Sequence, residues 1–143
     1  MANNYSIGSI IYFNKYCFSD EKRGALPHYA LVVLPSEVMG FESNLLCSVI
    51  TSNIKAKEDK YCHSLCVSDY DCFAVESFAC LNRQDIQSIS DLDESKDQPL
   101  AVLAISDIKK CFKILKAIKY STSKQGKYYI ATIIREWKSN FVL

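Results

Sequence analysis

The chain reads as an α+β protein, mainly β, in which a small barrel or strongly bent sheet precedes a helical C-terminal part. Three observations carry this reading. Five short apolar runs, rich in β-branched and aromatic residues, follow one another closely between residues 7 and 81. There are only 4 glycines and 3 prolines, with no low-complexity tract and no repeat. The apolar period then changes to a helical one near residue 106. At 143 residues, 49% hydrophobic and 23% charged, the composition excludes a disordered, collagen-like or fibrous chain. A single domain over 1–143 is expected, with strands and loops over 7–105, a helix over 106–120 and an extension over 128–141.

Residues 7–13, Ile-Gly-Ser-Ile-Ile-Tyr-Phe, are too short an apolar run for a helix and predict the first strand. The polar stretch 19–24 makes a loop, closed by Pro27. Residues 29–34, Tyr-Ala-Leu-Val-Val-Leu, are continuous enough for a buried central strand, which Pro35-Ser36 ends. Residues 44–51 predict a third strand, and the charged stretch 55–59 a solvated loop. Residues 62–67 and 73–81 supply two more strands around the turn Ser68-Asp69-Tyr70-Asp71. Ser106-Asp107 suits the N-terminus of a helix by capping and by charge. Ile108, Cys111, Phe112, Leu115 and Ile118 form its apolar face and Lys109, Lys113 and Lys116 a stripe on the other side. Residues 128–141 fit a helix or a strand, and the spacing of Tyr129, Ile130, Ile133, Ile134 and Trp137 favours a second helix. Its apolar residues predict packing on the barrel or on a second subunit.

Lys plus Arg number 17 against 16 Asp plus Glu, and the net charge of +1 argues against holding nucleic acid or membrane by bulk electrostatics. The charge is uneven: six acids and one lysine over 85–107, then nine basic residues and one acid over 108–143. That cationic part is either a solvated face or a surface for RNA or an acidic partner. No run of about 18 apolar residues occurs, and the N-terminus lacks the pattern of an export signal, so a cytoplasmic protein with no membrane segment is expected. The seven cysteines, at 17, 47, 62, 66, 72, 80 and 111, lie mostly in apolar runs and read as small core hydrophobes of a reducing compartment. Cys62-His63-Ser64-Leu65-Cys66 with Cys72 fits neither spacing of common zinc sites, so neither metal nor other cofactor is expected. A glycine-rich phosphate loop, HExxH, a paired-carboxylate motif and GxSxG are all absent.

Gly8-Ser9-Ile10-Ile11-Tyr12, a polar loop, Ala30-Leu31-Val32-Val33-Leu34 and Val49-Ile50-Thr51-Ser52 resemble, in order and spacing, the MazF/PemK (Kid) toxin family. Phe78-Ala79-Cys80-Leu81 with Ile86-Gln87-Ser88-Ile89 resembles that family's late strand and its sequel. Leu103-Ala104-Ile105-Ser106-Asp107-Ile108 resembles its last strand and the start of its C-terminal helix. The resemblance covers roughly residues 7–120. It implies an SH3-like β-barrel with a C-terminal amphipathic helix, usually a homodimer. It further implies the toxin of a type II toxin-antitoxin system, an endoribonuclease that cleaves single-stranded RNA and is silenced by an antitoxin protein. Thr51 matches an active-site position of the family, and Arg83 with Asp85 resembles its Arg and Asp two residues apart. The family's Arg-Pro before the second strand is His28-Tyr29 here.

Metal-independent RNA cleavage needs a base for the 2′-hydroxyl, an acid for the 5′-oxygen and fixed positive charge or donors for the phosphorane. His28 suits acid or base, since a histidine ordinarily titrates at about 6.5. Arg83 or Arg23 suits a phosphate as a planar fork, and Thr51 and Ser52 can donate hydroxyl hydrogen bonds to it. The expected catalytic set is His28, Thr51 and Arg83, with Arg23, Ser52, Lys55 and Asp85 binding RNA. Each has a plainer reading: a strand-edge histidine, a solvated loop cation, a strand-end cap. His63, the other histidine, is given no catalytic role. Two functions compete with the ribonuclease. One is a catalytically altered family member working as a protein-binding module, for which His28 is the discriminating residue. The other is an unrelated α+β interaction domain.

Overall fold

A computed structural model describes residues 5–18, 26–40, 44–89, 99–118 and 124–143. Its elements run β1 (Ser9–Tyr16), β2 (Leu26–Leu34), α1 (Ser36–Met39), β3 (Asn44–Thr51), a 3-10 segment (Ile54–Glu58), β4 (Cys62–Leu65), β5 (Ser77–Cys80), β6 (Asp85–Ser88), β7 (Ala101–Val102), α2 (Ile105–Ala117) and α3 (Lys124–Asn140). The protein is α+β, mainly β: a curled antiparallel half-barrel sheet carrying two C-terminal helices. Strand order is β4-β5-β3-β2-β1-β7, with β6 also on β3. One edge of β3 is thus shared. Its C-terminal end pairs with β5 (Ile50↔Ala79, Thr51↔Phe78) and its N-terminal half with β6 (Asn44↔Ser88 through Cys47↔Asp85).

Several elements differ from expectation, each for a local reason. β1 and β2 are longer than 7–13 and 29–34, because Tyr16 pairs with Leu26 beyond an irregularity after Phe13. Pro27 is tolerated in β2 because β3 pairs with that strand only from Tyr29 onward. β4 and β5 are shorter than 62–67 and 73–81, since turns closed by Asp69 N–H on the Cys66 carbonyl and Phe73 N–H on the Tyr70 carbonyl occupy the difference. Residues 55–59, expected as a loop, lie mostly in the 3-10 segment, where Asn53 Oδ1 accepts the Lys55 N–H at 3.0 Å.

β6 was not expected from periodicity, because its inward positions are polar: Asp85 and Gln87 are fully buried. Gln87 is satisfied by the Cys17 backbone, whose N–H it accepts at 2.9 Å and whose carbonyl takes its Nε2–H at 2.7 Å. A buried amide with both ends paired carries little desolvation cost.

Strand alternation separates two apolar clusters on the two faces of the sheet. Ile10, Leu31, Val33 and Ile50 pack with α2 and α3, while Ile11, Phe13, Tyr16, Ala30, Val32, Leu45, Cys47 and Val49 fill the other face. α2 buries Ile108, Cys111, Phe112 and Leu115 and exposes Lys109, Lys113 and Lys116, as its periodicity predicts. Its N-cap is Ala104 without a side-chain cap, so the expected capping role of Ser106-Asp107 falls away. Asp107 remains in the first turn, where a negative charge complements the helix dipole.

The ambiguous 128–141 segment is helical and belongs to α3, which packs on the chain's own sheet and α2. Ile133 and Trp137 are fully buried, and Trp137 Nε1–H donates to the Val33 carbonyl at 3.0 Å, beside the register shift between Val32 and Leu34. Gly8, at φ +91°, permits the close approach of α2, since a Cβ there would stand 3.0 Å from Ile108 Cδ1. Of the cysteines only Cys47 and Cys111 are core residues; Cys17 and Cys66 are exposed and Cys62, Cys72 and Cys80 half-buried. No helix among the described residues is long and apolar enough to cross a membrane.

Candidate active-site cleft

The pairing Tyr29↔Ile50 and Ala30↔Val49, continued by one residue, sets His28 of β2 against Thr51 of β3. Beside them a cleft of about 390 Å³ opens between the two strands and the chain that leads into β5. His28, Thr51 and Ser52 line it together with Tyr12, Tyr29 and Phe73. The three rings form a chain of edge contacts, Tyr12 to Tyr29 at 5.0 Å and Tyr29 to Phe73 at 5.1 Å. Tyr29 O–H donates to the Cys72 carbonyl at 2.9 Å, which ties the β2 side of the cleft to the opposite wall. Loss of solvent raises the Tyr29 phenol above its ordinary pKa, so it stays a neutral donor.

Thr51 is half-buried, and its Oγ1 accepts the Asn53 N–H at 3.1 Å. That bond caps the strand end and leaves the hydroxyl proton as a donor, so the structural and chemical readings of Thr51 coexist. Ser52 is exposed at the rim. His28 is half-buried, its ring edge-on to Phe18 at 5.6 Å and to Tyr16 at 6.0 Å.

Phe18 joins His28 to a second group of expected site residues, since Arg83 Cζ lies 4.9 Å from the Phe18 ring centroid. Arg83 Nε donates to Asp85 at 3.2 and 3.3 Å, and Tyr16 O–H donates to Asp85 Oδ2 at 3.0 Å and to the Cys47 carbonyl at 3.2 Å. Asp85 is entirely buried. It orients Arg83 and Tyr16 from within the protein, and it has no surface to offer to RNA. Burial first, and the Asp85 charge second, push the Tyr16 phenol well above its usual range, so the group is permanently protonated at neutral pH.

The fold therefore brings His28, Thr51 and Ser52 to one cleft and holds Arg83 and Asp85 behind Phe18. Lys55 is exposed in the 3-10 segment, outside the cleft lining. Arg23 lies outside the described residues.

Sequence reasoning missed the aromatic lining, although Tyr12 and Tyr29 share one strand face by parity with Ile10 and Leu31. It also missed a polar knot under α2. His63 Nε2 lies 2.7 Å from Asp107 Oδ1, Tyr70 O–H donates to Asp107 Oδ2, and Ala104 N–H donates to Tyr70 Oη at 3.0 Å. Burial and the bond to Asp107 raise the Tyr70 pKa. Alternation along β4 puts His63 on the face under α2 and Cys62 on the opposite face beside Cys80, so this imidazole and this thiol do not converge.

No model of a known protein family matches the chain, and no curated protein matches it. The chemistry of the cleft then rests on its residues. Hydroxyls beside an aromatic floor, with His28 at the edge and its ring turned toward Phe18 and Tyr16 on the other strand face, suit a ligand that carries both a flat ring and an anionic group.

Proposed function

We propose that the chain is a metal-independent endoribonuclease of the MazF/PemK type, cleaving single-stranded RNA at the His28 cleft of an SH3-like barrel. The observation that carries this reading is that His28, Thr51 and Ser52, supplied by two strands, line one cleft together with Tyr12, Tyr29 and Phe73. An unstacked base lies against Tyr12, Tyr29 and Phe73, where stacking on such rings contributes about 1–3 kcal/mol per base. His28 takes the 2′-hydroxyl proton, the freed oxygen attacks phosphorus, and the 5′-oxygen leaves with a proton returned by the imidazolium. The hydroxyls of Thr51 and Ser52 donate to the non-bridging oxygens as charge grows on them. Arg83, one ring away across Phe18, adds fixed positive potential. In this reading the protein is a cytoplasmic toxin without a cofactor, whose partners are RNA, an antitoxin protein and a second copy of the chain.

One observation favours the protein-binding module instead. The Arg83 guanidinium is tied to buried Asp85 and stacked on Phe18, an architectural placement. The test is incubation of the purified protein with a long single-stranded RNA in EDTA, beside His28→Ala and Arg83→Ala, with the new 5′ ends sequenced. Discrete cuts that fall about 10²–10⁴-fold in His28→Ala are expected for a general acid–base residue. RNA left intact at high protein concentration overturns the ribonuclease and leaves the binding module.

A further inference from the structure

We infer that Cys62 and Cys80 are a reversible redox pair, which a hydroperoxide converts into an intramolecular disulfide across β4 and β5. The two residues are directly opposed in the antiparallel register. Leu81 N–H donates to the Tyr61 carbonyl at 3.1 Å, which makes the preceding opposed pair a hydrogen-bonded one. Alternation then makes Cys62 and Cys80 a non-hydrogen-bonded pair, in which the Cα atoms approach to about 4.5 Å and side chains are closest. That separation falls within the range a disulfide spans. The sulfurs already stand 3.5 Å apart, with the Cys62 thiol donating to Cys80 Sγ, and both residues are half-buried, not sealed in the core. The same hydrogen bond lowers the Cys80 pKa and so favours its thiolate, the form that attacks peroxide.

The chemistry balances. Cys80 thiolate attacks one peroxide oxygen; the S–O bond forms, the O–O bond breaks, and hydroxide leaves and takes up a proton to become water. Cys62 sulfur then attacks Cys80 sulfur; the S–S bond forms, the S–O bond breaks, and the departing hydroxide takes the Cys62 thiol proton to leave as the second water. Two thiols lose two electrons and one peroxide gains them.

The two core thiols compete poorly. Cys47 and Cys111 are buried, with pKa values raised by desolvation, that of Cys111 to about 12. The disulfide would close the chain segment that includes Phe73 and Ser77 of the cleft wall. The inference stands apart from the RNA reading, since its readout is covalent.

The test treats the full chain with dilute hydrogen peroxide, alkylates the remaining thiols and maps the unreduced peptides by mass spectrometry. A Cys62–Cys80 cross-link, two alkylatable thiols lost and then restored by dithiothreitol, and a Tm raised by about 5–10 °C are expected. Cys62→Ser should instead leave a sulfenic acid on Cys80, trapped by dimedone. Full alkylation after peroxide, a different connectivity, or a Cys80 sulfenic acid that persists in the wild type overturns the inference. Because the mapping is done on the wild-type chain, a misfolded variant does not weaken it.

Discussion

Replacing Trp137 with alanine removes the residue through which α3 is anchored to the sheet. The indole is fully buried, stacks on Phe112 at 6.4 Å and 13°, meets Phe141 at 5.9 Å, and donates to the Val33 carbonyl. Truncating a buried Trp to Ala costs about 3–5 kcal/mol in lost transfer energy and cavity. The Val33 carbonyl left without its indole donor adds about 1 kcal/mol, reduced if water enters the cavity. A total near 4–6 kcal/mol is a large share of what a domain of this size holds in reserve, about 5–15 kcal/mol. Trp137→Phe keeps a stacking ring and loses chiefly the hydrogen bond, about 1–2 kcal/mol. The assay is urea unfolding followed by far-UV circular dichroism, because Trp137 is the only tryptophan and both variants lose its fluorescence. Midpoints should fall in the order wild type, Trp137→Phe, Trp137→Ala. If both variants stay within about 1 kcal/mol of wild type, α3 is not docked as described and the reasoning fails.

Asp85→Asn removes the charge that pairs Arg83 and accepts from Tyr16. We expect a loss of about 2–3 kcal/mol in urea unfolding, below the figure for a fully sealed pair because solvent reaches Arg83. A change under about 0.5 kcal/mol would contradict the buried anchor. Asp107→Asn weakens a carboxylate shared by His63 and Tyr70 at the first turn of α2, and a loss of about 1–2 kcal/mol is expected. In a double-mutant cycle with His63→Ala the two effects should be less than additive, and strict additivity would deny the contact. Alkali should unfold the protein progressively. Tyr16, Cys47 and Cys111 are all raised by burial, Cys111 from 9.0 to about 12, so above about pH 9 the unfolded chain has released protons that the folded chain still holds. Their contribution is present at neutral pH and lost as pH climbs toward the folded values. Tm measured from pH 7 to 11 should be level and then fall, and Tyr16→Phe should soften the fall.

Much of the architecture is local and so was readable. The near-continuous apolar run from Leu45 to Ile50 and the i, i+3, i+4, i+7 face from Ile108 to Leu115 are properties of neighbouring residues, and both elements stand where those patterns placed them. The amphipathic spacing of Ile130, Ile133, Ile134 and Trp137 likewise settled on a helix. β6 was hidden because Asp85 and Gln87 look like surface residues until Tyr16 and Cys17, about seventy positions earlier, arrive to satisfy them. Asp107 reads as a helix cap until His63 and Tyr70 claim its oxygens. The same division runs through the site. The types of His28, Thr51 and Ser52 proposed acid–base and donor chemistry, but strand register brought them to one cleft, and the tertiary fold gave it a Tyr12, Tyr29 and Phe73 floor. It also moved Asp85 from a supposed RNA contact to a buried anchor, and set Cys62 and Cys80, which read as small hydrophobes, directly opposite each other. Amino-acid order by itself determined the apolar strands and the two long helices, because periodicity and turn chemistry act over a few residues. Only the folded chain decided which polar groups are satisfied inside and which remain to meet a ligand, because that depends on partners that sequence distance conceals.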